Sequence, residues 1–197
     1  MDVVGDRWTL LIVRELLIRK ECRYTDLKAG LPGIASNLLA ERLREMEASG
    51  IVKKEDAPPP VATALFSLTE RGAALEPVLD ELGRWGAPLL KDAPKSDACQ
   101  GHWLALPAKF RLKDRAPKEA PVEIELRSGG ETVVIEAGGS VRTRVGKAEK
   151  PGAVLEGTAR VVAAVLLGKM ELREAKKAGL VFRGDVRVLE RVLGYCG

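Results

Sequence analysis

The hydrophobic period of this chain changes partway along its length, and that change limits it to folds built in two parts. Over the first 90 residues apolar side chains recur at helical spacing, whereas from 121 to 156 they alternate with polar ones. Helical spacing buries a stripe and alternation buries one face of a strand, so a single element cannot satisfy both patterns. Between the two stretches lie Lys91, Asp92, Pro94, Lys95, Ser96 and Asp97, a polar, Pro-punctuated linker composition. The expected organisation is a domain over 1–88, a linker over 89–101 and a second domain over 102–197.

In the first stretch Asp6 is placed to cap a helix from Trp8 to Leu17, with Leu10, Leu11, Val13, Leu16 and Leu17 on a broad stripe. Thr25 to Gly30 reads as a short second helix, and Leu31-Pro32-Gly33 breaks the chain. Helix resumes from Ser36 to Ala48 with Leu39, Leu43 and Met46 inward, and stops at Ser49-Gly50. Ile51–Glu55 and Leu65–Leu68 read as hairpin strands around Asp56-Ala57-Pro58-Pro59-Pro60, whose prolines keep the tip out of a sheet. Thr69 then opens a helix whose Leu75, Val78, Leu79 and Leu82 form a stripe ending at Trp85-Gly86. Helix, helix, turn, helix, hairpin, helix is a mainly-α winged helix-turn-helix, in which the helix after the turn enters the DNA major groove. With Leu39, Leu43 and Met46 inward, helical geometry turns Asn37, Ala40, Glu41 and Arg44 outward, with Ser36 at the N-terminus. Asn pairs with adenine, Ser with base or phosphate, and Arg with guanine or phosphate.

The second stretch is α+β. Val122, Ile124 and Leu126 alternate with Glu123, Glu125 and Arg127, a half-buried strand. Ser128-Gly129-Gly130 turns it into Thr132–Ala137, and Gly138-Gly139 turns that into Val141–Val145, with Arg142 and Arg144 outward. Ala153–Glu156 is a candidate fourth strand. Thr158 caps a helix to Leu167, Glu171–Ala178 continues helical, Leu180–Arg183 is a short strand, and Asp185 caps a last helix with Val188, Leu189, Val192 and Leu193 inward.

Charge and reactive residues narrow the function. Residues 1–90 hold 12 Lys and Arg against 14 Asp and Glu, a balance of −2, while 91–197 hold 20 against 14, a balance of +6. The excess base therefore lies outside the helix-turn-helix, and local placement has to carry any nucleic-acid argument. Three widely spaced cysteines (Cys22, Cys99, Cys196) with no Cys-x-x-Cys pair argue against a disulfide framework or zinc site. One histidine, His102, with no nucleophile–base pair or phosphate loop, points away from an enzyme; no metal or cofactor is expected. The apolar runs are too short to cross a bilayer and no charged-then-apolar leader is visible, so a cytoplasmic protein without a membrane partner is expected.

Val4-Gly5-Asp6-Arg7-Trp8-Thr9-Leu10-Leu11-Ile12, Arg23-Tyr24-Thr25-Asp26-Leu27, Leu31-Pro32-Gly33-Ile34, Phe66-Ser67-Leu68-Thr69-Glu70-Arg71-Gly72 and Leu82-Gly83-Arg84-Trp85-Gly86 occur in this order. Together they resemble the HxlR-type winged-helix repressors, relatives of the MarR group. The resemblance covers about residues 1–86. It implies a homodimer on a pseudo-palindromic double-stranded operator, joined through the first and last helices of the domain. The family often carries a cysteine before the first helix; residues 1–6 hold none. Cys22, at the end of the first helical segment, reads as a small buried residue rather than a sensor. An arginine is common after the wing's proline tip, where this chain has Thr63; Lys53 and Lys54 would then hold phosphates.

Residues 103–193 resemble the sterol carrier protein type 2 family, through the Val122–Val145 meander, Val154-Leu155-Glu156-Gly157-Thr158, Leu166-Leu167-Gly168-Lys169-Met170 and Gly179-Leu180-Val181-Phe182-Arg183-Gly184-Asp185. That implies an antiparallel meander covered by helices around an apolar cavity, with Leu126, Val134, Leu166, Met170 and Phe182 as candidate walls for an apolar small-molecule effector. The combined expectation is a sequence-specific transcriptional regulator, a repressor modulated through its second domain. The alternatives are a winged-helix dimer whose second domain is structural only, and a lipid-binding carrier.

Overall fold

Asp6 starts the first helix as its chemistry requires: its carboxylate accepts the Trp8 backbone N–H at 2.7 Å, and α1 runs Arg7–Arg19. The computed structural model describes residues 3–57, 63–91, 94 and 97–194. It divides into two compact units, Met1–Ser96 and Asp97–Gly197. The Pro58–Pro60 wing tip, Cys196, and linker residues Asp92, Lys95 and Ser96 lie outside the described residues.

In the first unit α1 is followed by β1 (Glu21–Arg23), α2 (Tyr24–Gly30), α3 (Ser36–Ala48), β2 (Val52–Asp56) and β3 (Ala64–Leu68). Ile12, Val13 and Leu16 of α1, Leu27 of α2, Leu39 and Leu43 of α3, and Phe66 of β3 make one core with Leu31 and Ile34 from the intervening turn. Gly33 in that turn has φ +89°, a left-handed conformation that a side chain would strain. The sheet order is β1-β3-β2, with Cys22 opposite Phe66 on one side of β3 and Lys54 opposite it on the other. Cys22 thus belongs to a strand rather than to the end of the first helix. The three-residue strand is defined by its pairing with β3, not by a pattern of its own.

The helix expected from Thr69 to Gly86 is two helices, α4 (Glu70–Ala73) and α5 (Glu76–Gly86). Thr69 caps the first by accepting the Gly72 N–H at 3.1 Å. Pro77 explains the interruption, because it has no N–H to offer the Ala73 carbonyl that a continuous helix would present. A 3-10 turn, Ala87–Lys91, follows α5 and occupies the start of the expected linker.

The second unit opens on a 3-10 turn (Gly101–Leu104) and α6 (Ala105–Arg111). It continues with β4 (Val122–Ser128), β5 (Glu131–Ala137), β6 (Val141–Val145), β7 (Ala153–Glu156), α7 (Ala159–Leu166), α8 (Leu172–Lys177), β8 (Val181–Gly184) and α9 (Val186–Leu193). The strand order is β6-β5-β4-β7-β8. Strands β4, β5 and β6 form the expected antiparallel meander, but β7 joins β4 in parallel, so the sheet is mixed. Ile124, Leu126, Val133, Ile135 and Leu155 share one face at 0–1% exposure. The Gly101–Leu104 turn lies on that face: the buried His102 places Nδ1 2.8 Å from Glu131 Oε1 and donates its backbone N–H to Oε2 at 3.0 Å.

The opposite face is not the solvated surface that alternation in β4 implied. Glu125 is buried, paired with Arg127, and accepts the Ala148 N–H at 2.7 Å. Arg144, expected to point into solvent, is held by Glu123 and Glu136 at 2.7 Å each, and these hydrogen bonds raise its pKa further. No described helix of the chain is long and apolar enough to cross a membrane.

Candidate nucleic-acid interface

Helix α3 carries its apolar residues on one side only. Leu39, Leu43 and Met46 are buried at 0–3% exposure, and this sets the opposite side outward. Ser36, Asn37, Glu41 and Arg44 are exposed and Ala40 is half-buried, so the five candidate readers share one accessible face. No side chain caps α3 at Ala35, which leaves the N–H groups of its first turn to other acceptors. Two side chains of α2 position this end. Tyr24 Oη donates to the Ser36 carbonyl at 2.6 Å, and Lys28 Nζ donates to the Ile34 carbonyl. Neither residue was singled out by periodicity, since both act on backbone atoms at least six residues away.

The electrostatics of α3 are mixed. Arg42 is held by Glu45 at 2.7 Å and lies 3.6 Å from Glu41, while Arg44 turns its Nε back to the Ala40 carbonyl at 3.3 Å. With Glu47, the helix carries three carboxylates against two guanidinium groups. Its polar groups are therefore suited to reading base edges more than to supplying bulk attraction for phosphates. On the wing, Lys53 pairs with Glu55 at 2.8 Å, both side chains at least half exposed. Such a pair contributes at most about 1 kcal/mol, and exchange for a phosphate is inexpensive. Lys54 is exposed. Thr63 is half-buried, and its carbonyl accepts the Ala57 N–H at 2.8 Å, continuing the hairpin past β2 and β3.

A second exposed surface lies on α5. Leu75 and Leu79 pack against the core, but Val78, Leu82 and Trp85 are 44%, 45% and 74% exposed, and Leu89 on the following turn is 63% exposed. The stripe expected to face one way is therefore divided between the core and the outside. Cys22 is buried, and burial pushes its thiol up to about 12, which disfavours the thiolate at neutral pH.

In the second unit the five candidate ligand residues do not form one wall. Leu126 stands beside Leu155, and Leu155 beside Phe182, on the helix-covered face. Val134 is opposite Glu125 and so points to the other face, because adjacent positions of a strand alternate. Leu166 is buried in α7. Met170 and Phe182 are half-buried, and Lys176 lies over the Phe182 ring at 5.4 Å. A cleft of about 390 Å³ opens where the β4–β5 turn, residues 127–132, meets Glu156 and Gly157; none of the five lines it.

Residues 3–93 match the HxlR-like helix-turn-helix family. The uncharacterized HTH-type transcriptional regulator YvaP of Bacillus subtilis (strain 168) is 38% identical over 85 residues, which cover 43% of this chain and 78% of YvaP. The HTH-type transcriptional regulator YodB of the same strain is 34% identical over 84 residues, 43% of this chain and 74% of YodB. The solved reduced form of YodB is 30% identical and covers 47% of this chain and 90% of its own, with a TM-score of 0.41.

Proposed function

Since the chain belongs, through its N-terminal unit, to the HxlR-like helix-turn-helix family of transcriptional regulators, we propose that it represses transcription as a homodimer bound to a two-part operator. The single observation that carries this reading is the accessible face of α3. Ser36, Asn37, Glu41 and Arg44 are presented together by a buried apolar stripe and a side-chain-anchored N-terminus. Asn37 and Arg44 read bases, Ser36 and Lys54 hold phosphates, and Ala40 offers a small apolar contact. The dimer forms through α1 and α5: Val78, Leu82, Trp85 and Leu89 recur at helical spacing and are 44–74% exposed.

The second unit is the regulatory part of the proposal. An apolar small molecule binds on its helix-covered face, against Leu126, Leu166, Met170 and Phe182, and biases the operator-bound state. The tight packing of that face, with Leu126 and Leu155 at 1% and 0% exposure, favours a second reading in which the unit is a scaffold. A carrier of lipid would need the same face to open.

Footprinting of the full chain on the DNA upstream of its own gene tests the central part. The expected result is two protected half-sites about one helical turn, 10 base pairs, apart. No protected segment anywhere in that region would count against it.

A further inference from the structure

The second unit carries part of its excess of base around the edge strand β6 of its sheet. Residues 97–197 carry 18 Lys and Arg against 13 Asp and Glu, and several carboxylates close to this edge are engaged internally. Asp114 pairs with Arg191 at 2.8 Å, Glu123 and Glu136 with Arg144, and Glu125 with Arg127. Lys113 and Lys118 after α6, Arg142 on β6, and Lys147 and Lys150 after β6 remain exposed, with Glu119 and Glu149 as the exposed carboxylates of the same segments.

The fold gathers these cations. Strand β6 is the edge of the sheet. Asp114 Oδ2 accepts the Gly139 N–H at 2.8 Å, which ties the segment bearing Lys113 and Lys118 to the turn leading into Arg142. The bond from Ala148 to Glu125 on β4 carries the Lys147–Lys150 loop from β6 across the sheet face that Arg142 occupies.

We propose that this edge contacts the phosphate backbone of duplex DNA, a proposal that rests on the reading of the N-terminal unit as a DNA reader. Neutralising phosphates supplies a large share of protein–DNA affinity. Residues 1–90 have a balance of −2, and α3 has one more carboxylate than guanidinium. Lysines without fixed acceptors are flexible point charges, suited to phosphates and indifferent to sequence. A lipid surface would call for apolar side chains among the cations. The large exposed apolar residues described in this unit are Val181, on the opposite sheet edge, and Val186.

The test compares the full chain with its K113Q/K118Q/R142Q/K147Q/K150Q variant, by anisotropy on a labelled upstream duplex from 50 to 300 mM KCl, where each lost phosphate contact removes about 0.9 from the log–log salt slope. The expected result is a slope shallower by roughly 2 to 4, with the preference for native over scrambled DNA unchanged. The charge-conserving K113R/K118R/K147R/K150R variant should keep the original slope. Equal slopes for the Gln variant and the unaltered chain overturn the proposal. That holds even if the variant self-associates, which loss of edge-strand cations alone would cause, or if only its binding to anionic vesicles is lost. A slope difference on DNA for which the unaltered chain shows no preference would sustain the edge contact and remove the sequence-reading role of α3. Preference with equal slopes would do the reverse.

Discussion

Gly30 is fixed by a buried carboxylate rather than by its own backbone. A Cβ there would sit 2.2 Å from Glu15 Oε2 and 2.7 Å from its Cδ. Glu15 is fully buried and hydrogen-bonded by Arg14 at 2.9 and 3.1 Å, so it has little freedom to retreat. Gly30→Ala should therefore destabilise the chain by about 1–3 kcal/mol, read as a lowered urea midpoint with unchanged slope; an unshifted midpoint would mean that Glu15 is free to move. Asp114 sets a pH limit on the second unit. Its hydrogen bond from Arg191, with those from Gly139 and Ala116, holds its carboxyl below the usual carboxylate range. A folded-state pKa below the unfolded one stabilises the fold above about pH 4 and loses that contribution as pH falls through the folded value. Asp114→Asn should accordingly flatten the acid limb of stability between about pH 4 and pH 2, measured by denaturant melts across that range.

At the scale of elements, α5 separates core from interface. Leu75 and Leu79 hold it to the unit, while Val78, Leu82 and Trp85 face outward. Burying side chains of this size contributes roughly 1.5–3 kcal/mol each, enough for a few of them to hold two copies together. Leu82→Glu should leave the circular dichroism spectrum intact, convert a dimer to a monomer in sedimentation velocity, and weaken operator binding by at least about tenfold, since each half-site would then be bound alone. A dimer that survives this change would place the interface elsewhere. Most of the N-terminal elements were legible because their signals are local: the Asp6 cap, the Leu31-Pro32-Gly33 break, and the inward spacing of Leu39, Leu43 and Met46. The break before α5 was also written in Pro77, although the apolar stripe running across it masks the signal. Strand β1 was not legible, because three residues carry no period and Cys22 becomes a strand residue only by pairing with Phe66.

For the whole molecule, the limit of legibility is contact over long sequence distance. The parallel pairing of β4 with β7 leaves no local mark. Glu125 looks like a solvent-facing residue until Ala148, 23 positions away, covers it. The same limit applies to the candidate sites. The candidate readers on α3 follow from one helix's period, whereas the candidate ligand set mixes two faces of a sheet whose register the sequence does not display, with Val134 on the face opposite Leu126. The division of charge along the chain is visible in composition, but which cations stay exposed around β6 depends on which carboxylates the fold engages. Together these features describe a chain with a DNA-binding first unit of the HxlR-like family and a second unit with a packed apolar interior. The most direct measurement is anisotropy of labelled upstream DNA against a scrambled duplex at about 0.15 M salt, for the unaltered chain and for Asn37→Ala. The expected result is at least about a 1000-fold preference for the native fragment, reduced by about 1–3 kcal/mol in the variant through loss of one bidentate base contact. Equal affinity of the unaltered chain for both duplexes, or a variant indistinguishable from it, would contradict the assignment of α3 as the reader.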